Sequence, residues 1–149
     1  MIEAGAKAPD FTLPDHTGHE VSLSGFARRR LLIAFYPLDF SPLCSEQMIL
    51  YQGISRELDE AGVSLIGISV DSAFAHKAFR ETLGFDTQLL ADFEPKGAVA
   101  SAYGAYLEQA GHSNRSLVLI DGEGTVEWSY ASDTPIDIPP TQLILDAIG

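Results

Sequence analysis

The chain has 149 residues, 46% of them hydrophobic, with 21 acidic against 9 basic side chains and a formal net charge of −12. That length suits one compact domain with a full core, placed over residues 1–149, and the acidic balance repels phosphate backbones and anionic lipid, so neither nucleic acid nor membrane is an expected partner. A lone cysteine, no apolar stretch near the roughly 20 residues that span a bilayer, and an N-terminus without a signal-peptide plan point to the cytoplasm.

From Asp10 to Leu23, apolar and polar residues alternate on either side of Gly18, which predicts an N-terminal β-hairpin. Arg28-Arg29-Arg30 reads as a solvated turn. Leu31 to Tyr36 is an unbroken apolar run, the pattern of a central strand buried on both faces. Val63 to Val70 repeats it, and the two are expected as parallel neighbours. Between them Met48, Tyr51, Ile54, Leu58 and Ala61 recur at three- and four-residue steps before Gly62, which predicts one crossover helix. A second helical pattern from Asp71 to Leu83 carries Phe74, Ala78 and Thr82 on one face and closes at Gly84. Gln88 to Ala91 reads as a short strand, and a short helix is expected from near Pro95 to Tyr103-Gly104. Leu117 to Ile120 and the alternating Val126, Trp128 and Tyr130 flank an Asp121-Gly122-Glu123-Gly124 turn as a hairpin, with Trp128 assigned to the core. Pro139-Pro140 introduces a last helix from Thr141 to Ile148. The order predicts an α/β sandwich around a central mixed sheet flanked by helices.

The chemistry concentrates between Pro37 and Cys44. Pro37 ends the first buried strand, because it cannot donate to the ladder, and the helical pattern resumes after Pro42. The intervening loop lies at the carboxyl end of a central strand, where α/β sheets gather their ligand sites. Ser41-Pro42 is a helix-start pair: the serine accepts from a free amide and the proline has none to leave unsatisfied. With Ser41 as the cap, Cys44 is the third helical residue, where the helix dipole favours a thiolate by about 0.3–1 kcal/mol, and up to about 2 when partly buried. A lone cysteine can be merely a small buried hydrophobe; this context marks Cys44 as a nucleophile instead.

The run Pro37-Leu38-Asp39-Phe40-Ser41-Pro42-Leu43-Cys44 resembles the active-site pattern of peroxiredoxins. The opening Asp-Phe-Thr-Leu-Pro-Asp and the segment Asn114-Arg115-Ser116-Leu117-Val118-Leu119-Ile120-Asp121 also look like that family's signatures. Ala91-Asp92-Phe93, Gly97-Ala98-Val99 through Tyr103-Gly104, and Glu108-Gln109-Ala110-Gly111 look most like the one-cysteine alkyl hydroperoxide reductase E group. The resemblance implies a thioredoxin-like fold, a thiol-dependent peroxidase acting on hydrogen peroxide and organic hydroperoxides, and Arg115 as the active-site arginine. It also implies a homodimer formed through loops flanking the site, with Phe40 in the contact. Two departures stand out. Gln47 occupies the place of a frequent glutamate, with Glu46 one residue earlier, and Ile49 stands where some bacterioferritin-comigratory-type enzymes carry a resolving cysteine.

The expected mechanism has the Cys44 thiolate attack one peroxide oxygen while Ser41, Arg115 and backbone amides stabilise charge on the other. Pro37 shields the loop from water. With no second cysteine, the sulfenic acid is expected to need an outside reductant: a low-molecular-weight thiol, a glutaredoxin-like protein or thioredoxin. No cofactor and no metal are expected, because His16, His19, His76 and His112 lack ligand spacing. Asp39 is expected to face solvent, and His112 to sit on a surface loop. Two other readings are a monothiol thiol-disulfide oxidoreductase and a redox-inactive interaction module on the same fold.

Overall fold

A computed structural model describes residues 1–149. The N-terminal hairpin forms from β1 (Thr12–Pro14) and β2 (Glu20–Ser22), antiparallel as expected. Then follow β3 (Arg30–Phe35), α1 (Pro42–Gln52), α2 (Ser55–Glu60), β4 (Val63–Ser69), α3 (Ala73–Leu83), β5 (Gln88–Ala91) and α4 (Ala98–Ala102). The chain ends with β6 (Tyr106–Leu107), β7 (His112–Ser113), β8 (Ser116–Ile120), β9 (Val126–Ala131) and α5 (Thr141–Ile148).

Five strands make the central mixed sheet in the order β5-β4-β3-β8-β9. β3 runs parallel to β4 and β4 to β5, whereas β8 is antiparallel to both β3 and β9. The apolar run of β3 divides by pleat. Leu31, Ile33 and Phe35 join one core with Phe11, Leu13, Ala100 and Tyr103, while Leu32 and Ala34 join another with Tyr51, Leu58, Ile144 and Ile148. Helices α1, α2 and α5 thus cover one face of the sheet, and α4 with the N-terminal hairpin covers the other. Trp128 packs at the edge of the second core and stacks on Tyr130 with the rings 10° apart.

Two expectations need correction. The single crossover helix is two, divided at Gly53, where a glycine inside a helix costs about 1 kcal/mol. Tyr51 before the break and Leu58 after it both pack in the second core. On α3, the face carrying Phe74, Ala78 and Thr82 looks to solvent, with Phe74 89% exposed; His76 and Phe79 are the buried positions. The antiparallel β6-β7 pair has no counterpart in the sequence reading, being only two residues per strand.

Candidate active site

The Pro37–Ser41 loop leaves the carboxyl end of β3 and turns directly into α1. Phe40 makes the turn with φ +67°, a left-handed conformation unusual for a bulky residue, and its ring rests on Phe79 at 5.1 Å while staying half exposed. Ser41 caps α1 as expected: its Oγ accepts from the Cys44 amide at 3.3 Å, and Pro42 opens the helix. The hydroxyl proton of Ser41 remains free to donate.

Cys44, Gln47, Met48 and Tyr51 are the buried residues of α1, spaced at three and four so that they share one face. Cys44 is fully buried beside Tyr36, Met48, Phe79, Phe85 and Leu89. Gly67 on β4 makes room there, because a methyl group in its place would come within 3.1 Å of the Tyr36 ring and 2.8 Å of Leu89.

Arg115 reaches this region from the start of β8. Its side chain is 2% exposed; Nε donates to the Pro135 carbonyl at 2.6 Å and Nη1 to Gln47 Oε1 at 2.7 Å, one helical turn past Cys44. No carboxylate pairs with it. The chain's ion pairs are Arg30–Glu127, Arg56–Glu60 and His76–Asp39. Pro37, Ser41 and Arg115 line one cleft of about 370 Å³, with Leu38, Pro42, Leu43, Pro135 and Ile136 as apolar walls. His112, expected on a surface loop, is instead on β7 and also borders this cleft. Its Nδ1 lies 2.9 Å from the Ser113 carbonyl, which ties that edge of the ring to the backbone.

Asp39 does not face solvent. Its carboxylate accepts from the Tyr36 hydroxyl at 2.6 Å and lies 2.7 Å from His76 Nδ1, and its amide donates to Asp71 Oδ2 at 2.8 Å. His76 is fully buried, with Nε2 3.0 Å from the Leu90 carbonyl. That carbonyl only accepts, so Nε2 carries a proton. Burial, and then the Asp39 carboxylate, hold the Tyr36 phenol well above its ordinary value, so Tyr36 stays a donor. Asp39, Asp71 and His76 bring ligand atoms within 4.8 Å of one another, but hydrogen bonds already engage those atoms. The network fastens the Pro37–Ser41 loop to α3 and β5. A stripe through buried His76 and Phe79 and half-buried Leu83, at steps of three and four, is the sequence signal for it.

A sequence profile of the AhpC/TSA family matches residues 4–129. Alkyl hydroperoxide reductase E of Mycobacterium tuberculosis is 34% identical over 150 residues, covering 100% of this chain and 97% of that relative. The chain belongs to the AhpC/TSA family of peroxiredoxins. It is a thiol-dependent peroxidase with the thioredoxin-like peroxiredoxin fold. The peroxidoxin BcpB of Mycobacterium tuberculosis superposes with a TM-score of 0.88 at 26% identity, over 99% of this chain and 97% of that one. AhpC of Enterococcus faecalis also gives 0.88 at 26% identity, over 99% and 91%. No helix of this peroxiredoxin is long and apolar enough to cross a membrane.

Proposed function

We propose that this peroxiredoxin works as one domain over residues 1–149 by a one-cysteine cycle, reducing hydrogen peroxide and organic hydroperoxides with Cys44. The Cys44 thiolate attacks one peroxide oxygen, the O–O bond breaks, and the other oxygen leaves as water or alcohol after taking a proton; sulfur is oxidised to sulfenic acid. Arg115 Nη2 and the Ser41 hydroxyl stabilise charge on the departing oxygen, and Pro37 closes the cleft to bulk water. An external thiol then condenses with the sulfenic acid, releasing water and forming a mixed disulfide. A second external thiol displaces Cys44 from it. Cys44 is the only cysteine present, which supports an outside reductant: a low-molecular-weight thiol, a glutaredoxin-like protein or thioredoxin. Because the reduced sulfur is fully buried, both the attack on peroxide and this second half require the first turn of α1 to yield.

One observation carries the reading: a guanidinium buried beside the Cys44 helix with neutral oxygens as its hydrogen-bond acceptors. A buried cation without an anionic partner is costly, and a thiolate at Cys44, on the same face of α1 as its acceptor Gln47, is the counter-ion that would offset the cost. We place the protein in the cytoplasm as a homodimer that pairs through loops beside the site, with half-exposed Phe40 in the contact. Rapid-mixing kinetics with an alkyl hydroperoxide tests the cycle. Second-order consumption that disappears in Cys44→Ser supports it, and consumption that survives this substitution overturns it.

A further inference from the structure

We infer that the cleft beside Arg115 is where the reductant is recognised, and that this reductant is a low-molecular-weight thiol carrying a carboxylate, held by Arg115 and His112. The inference rests on the one-cysteine cycle proposed above.

Three side chains from different elements bring hydrogen-bonding groups to this cleft. Arg115 is 2% exposed and commits Nε to the Pro135 carbonyl and Nη1 to Gln47, so Nη2 is left without a protein acceptor. His112 borders the same cleft from β7. The Ser113 carbonyl, 2.9 Å from Nδ1, only accepts, so Nδ1 carries the ring's proton. Nε2 is the nitrogen left free, and it becomes a second cationic donor once it takes a proton from solvent. The Ser41 hydroxyl keeps its own proton to donate, since its oxygen accepts from the Cys44 amide. No lining residue is acidic, in a chain of 21 acidic and 9 basic side chains. The neighbouring carboxylates are directed elsewhere: Asp39 to Tyr36 and His76, Asp137 to the Thr134 hydroxyl, and Glu46 and Asp133 to solvent. An anion site thus stands in a molecule whose net charge repels anions.

Chemistry and size select the ligand. During peroxide reduction these donors serve the departing oxygen. Afterwards Cys44 is a neutral sulfenic acid and the buried guanidinium again lacks an anion, which a carboxylate supplies. A volume of about 370 Å³ is that of a small-molecule site, and exposed Leu38 and Ile136 give it an apolar rim for a short carbon chain. A protein reductant needs no such anion site. Once the first turn of α1 yields, the thiol gives up its proton and its sulfur bonds to Cys44 Sγ. The S–O bond breaks, and the oxygen leaves with that proton as water; the Cys44 sulfur is reduced and the thiol sulfur oxidised, both to the disulfide.

The test starts from Cys44 sulfenic acid made with one equivalent of an alkyl hydroperoxide. Its loss is followed by intact-protein mass spectrometry with mercaptoacetate, methyl mercaptoacetate and cysteamine, each rate expressed per thiolate. The anionic thiol should outpace the neutral ester by about tenfold and the cationic thiol by more, with the gap narrowing at high salt. His112→Leu should cut the preference to about threefold and His112→Lys should restore it, with thermal melts to confirm folding. Equal rates for the three thiols on the wild type, or a preference that His112→Leu leaves unmoved, overturn the inference while the cycle stands. If the hydroperoxide produces no sulfenic acid at Cys44, the cycle and the inference fall together. Should the variants fail to fold, the wild-type series and its salt dependence decide alone.

Discussion

His76 and Arg115 are both buried against the segment that carries Cys44, one from α3 and the other from the start of β8. Their partners differ in kind. His76 meets the Asp39 carboxylate at 2.7 Å and the Leu90 carbonyl at 3.0 Å, and the Tyr36 hydroxyl donates to the same carboxylate. Arg115 meets an amide oxygen and a peptide carbonyl, and its Nη2 donates to no protein atom. The first arrangement spends its charge internally and holds a loop in place. The second leaves its charge without an anionic partner at the wall of the cleft, where the proposed cycle would use it. Of these two buried basic side chains, one thus has a carboxylate partner and the other has none.

The comparison breaks most visibly at Asp39. Asp39→Asn leaves His76 without its carboxylate and should destabilise the fold by about 3–5 kcal/mol, read as a shift of the denaturant midpoint. The double variant Asp39→Leu/His76→Phe should regain most of that loss, since replacing both partners by apolar groups removes the stranded charge. Arg115→Met should act mainly on activity. Its stability should fall by less, about 1–3 kcal/mol, because the Gln47 and Pro135 oxygens lose their donor but no carboxylate is left unpaired, while the peroxide rate constant at neutral pH falls by about 10²–10³ in stopped-flow measurements.

A smaller effect concerns Tyr36. Its folded-state phenol lies well above the unfolded value of about 10, so above that pH the native protein holds a proton that the unfolded chain has lost. The stabilisation is complete below about pH 10 and declines as pH rises toward the folded value. Tyr36→Phe should therefore reduce the alkaline slope of unfolding free energy by about 1.4 kcal/mol per pH unit, together with a loss of about 1 kcal/mol at neutral pH for the bond to Asp39.

Most of the architecture was legible because it rests on local signals. The solid apolar runs of β3 and β8 mark strands buried on both faces, and Ser41-Pro42 marks the helix start that places Cys44 at its third position. Arg115 and Gln47 entered through resemblance; their pairing, 68 residues apart, is a tertiary fact that no periodicity reports. Asp39 was misread because a loop carboxylate is by default solvated, and only a histidine 37 residues later reverses that. The same long-range partner explains the error on α3, where Phe74 outweighed His76 by hydrophobicity yet faces water. The break at Gly53 was missed because the apolar spacing continues across it in step with a single helix.

The central claim is that Cys44 reduces peroxide with the help of Arg115, whose buried guanidinium has no carboxylate partner. Stopped-flow rate constants for wild-type protein and Arg115→Met with an alkyl hydroperoxide at neutral pH test it most directly. The account predicts a loss of about 10²–10³ in the variant. A variant that keeps the wild-type rate constant would contradict it.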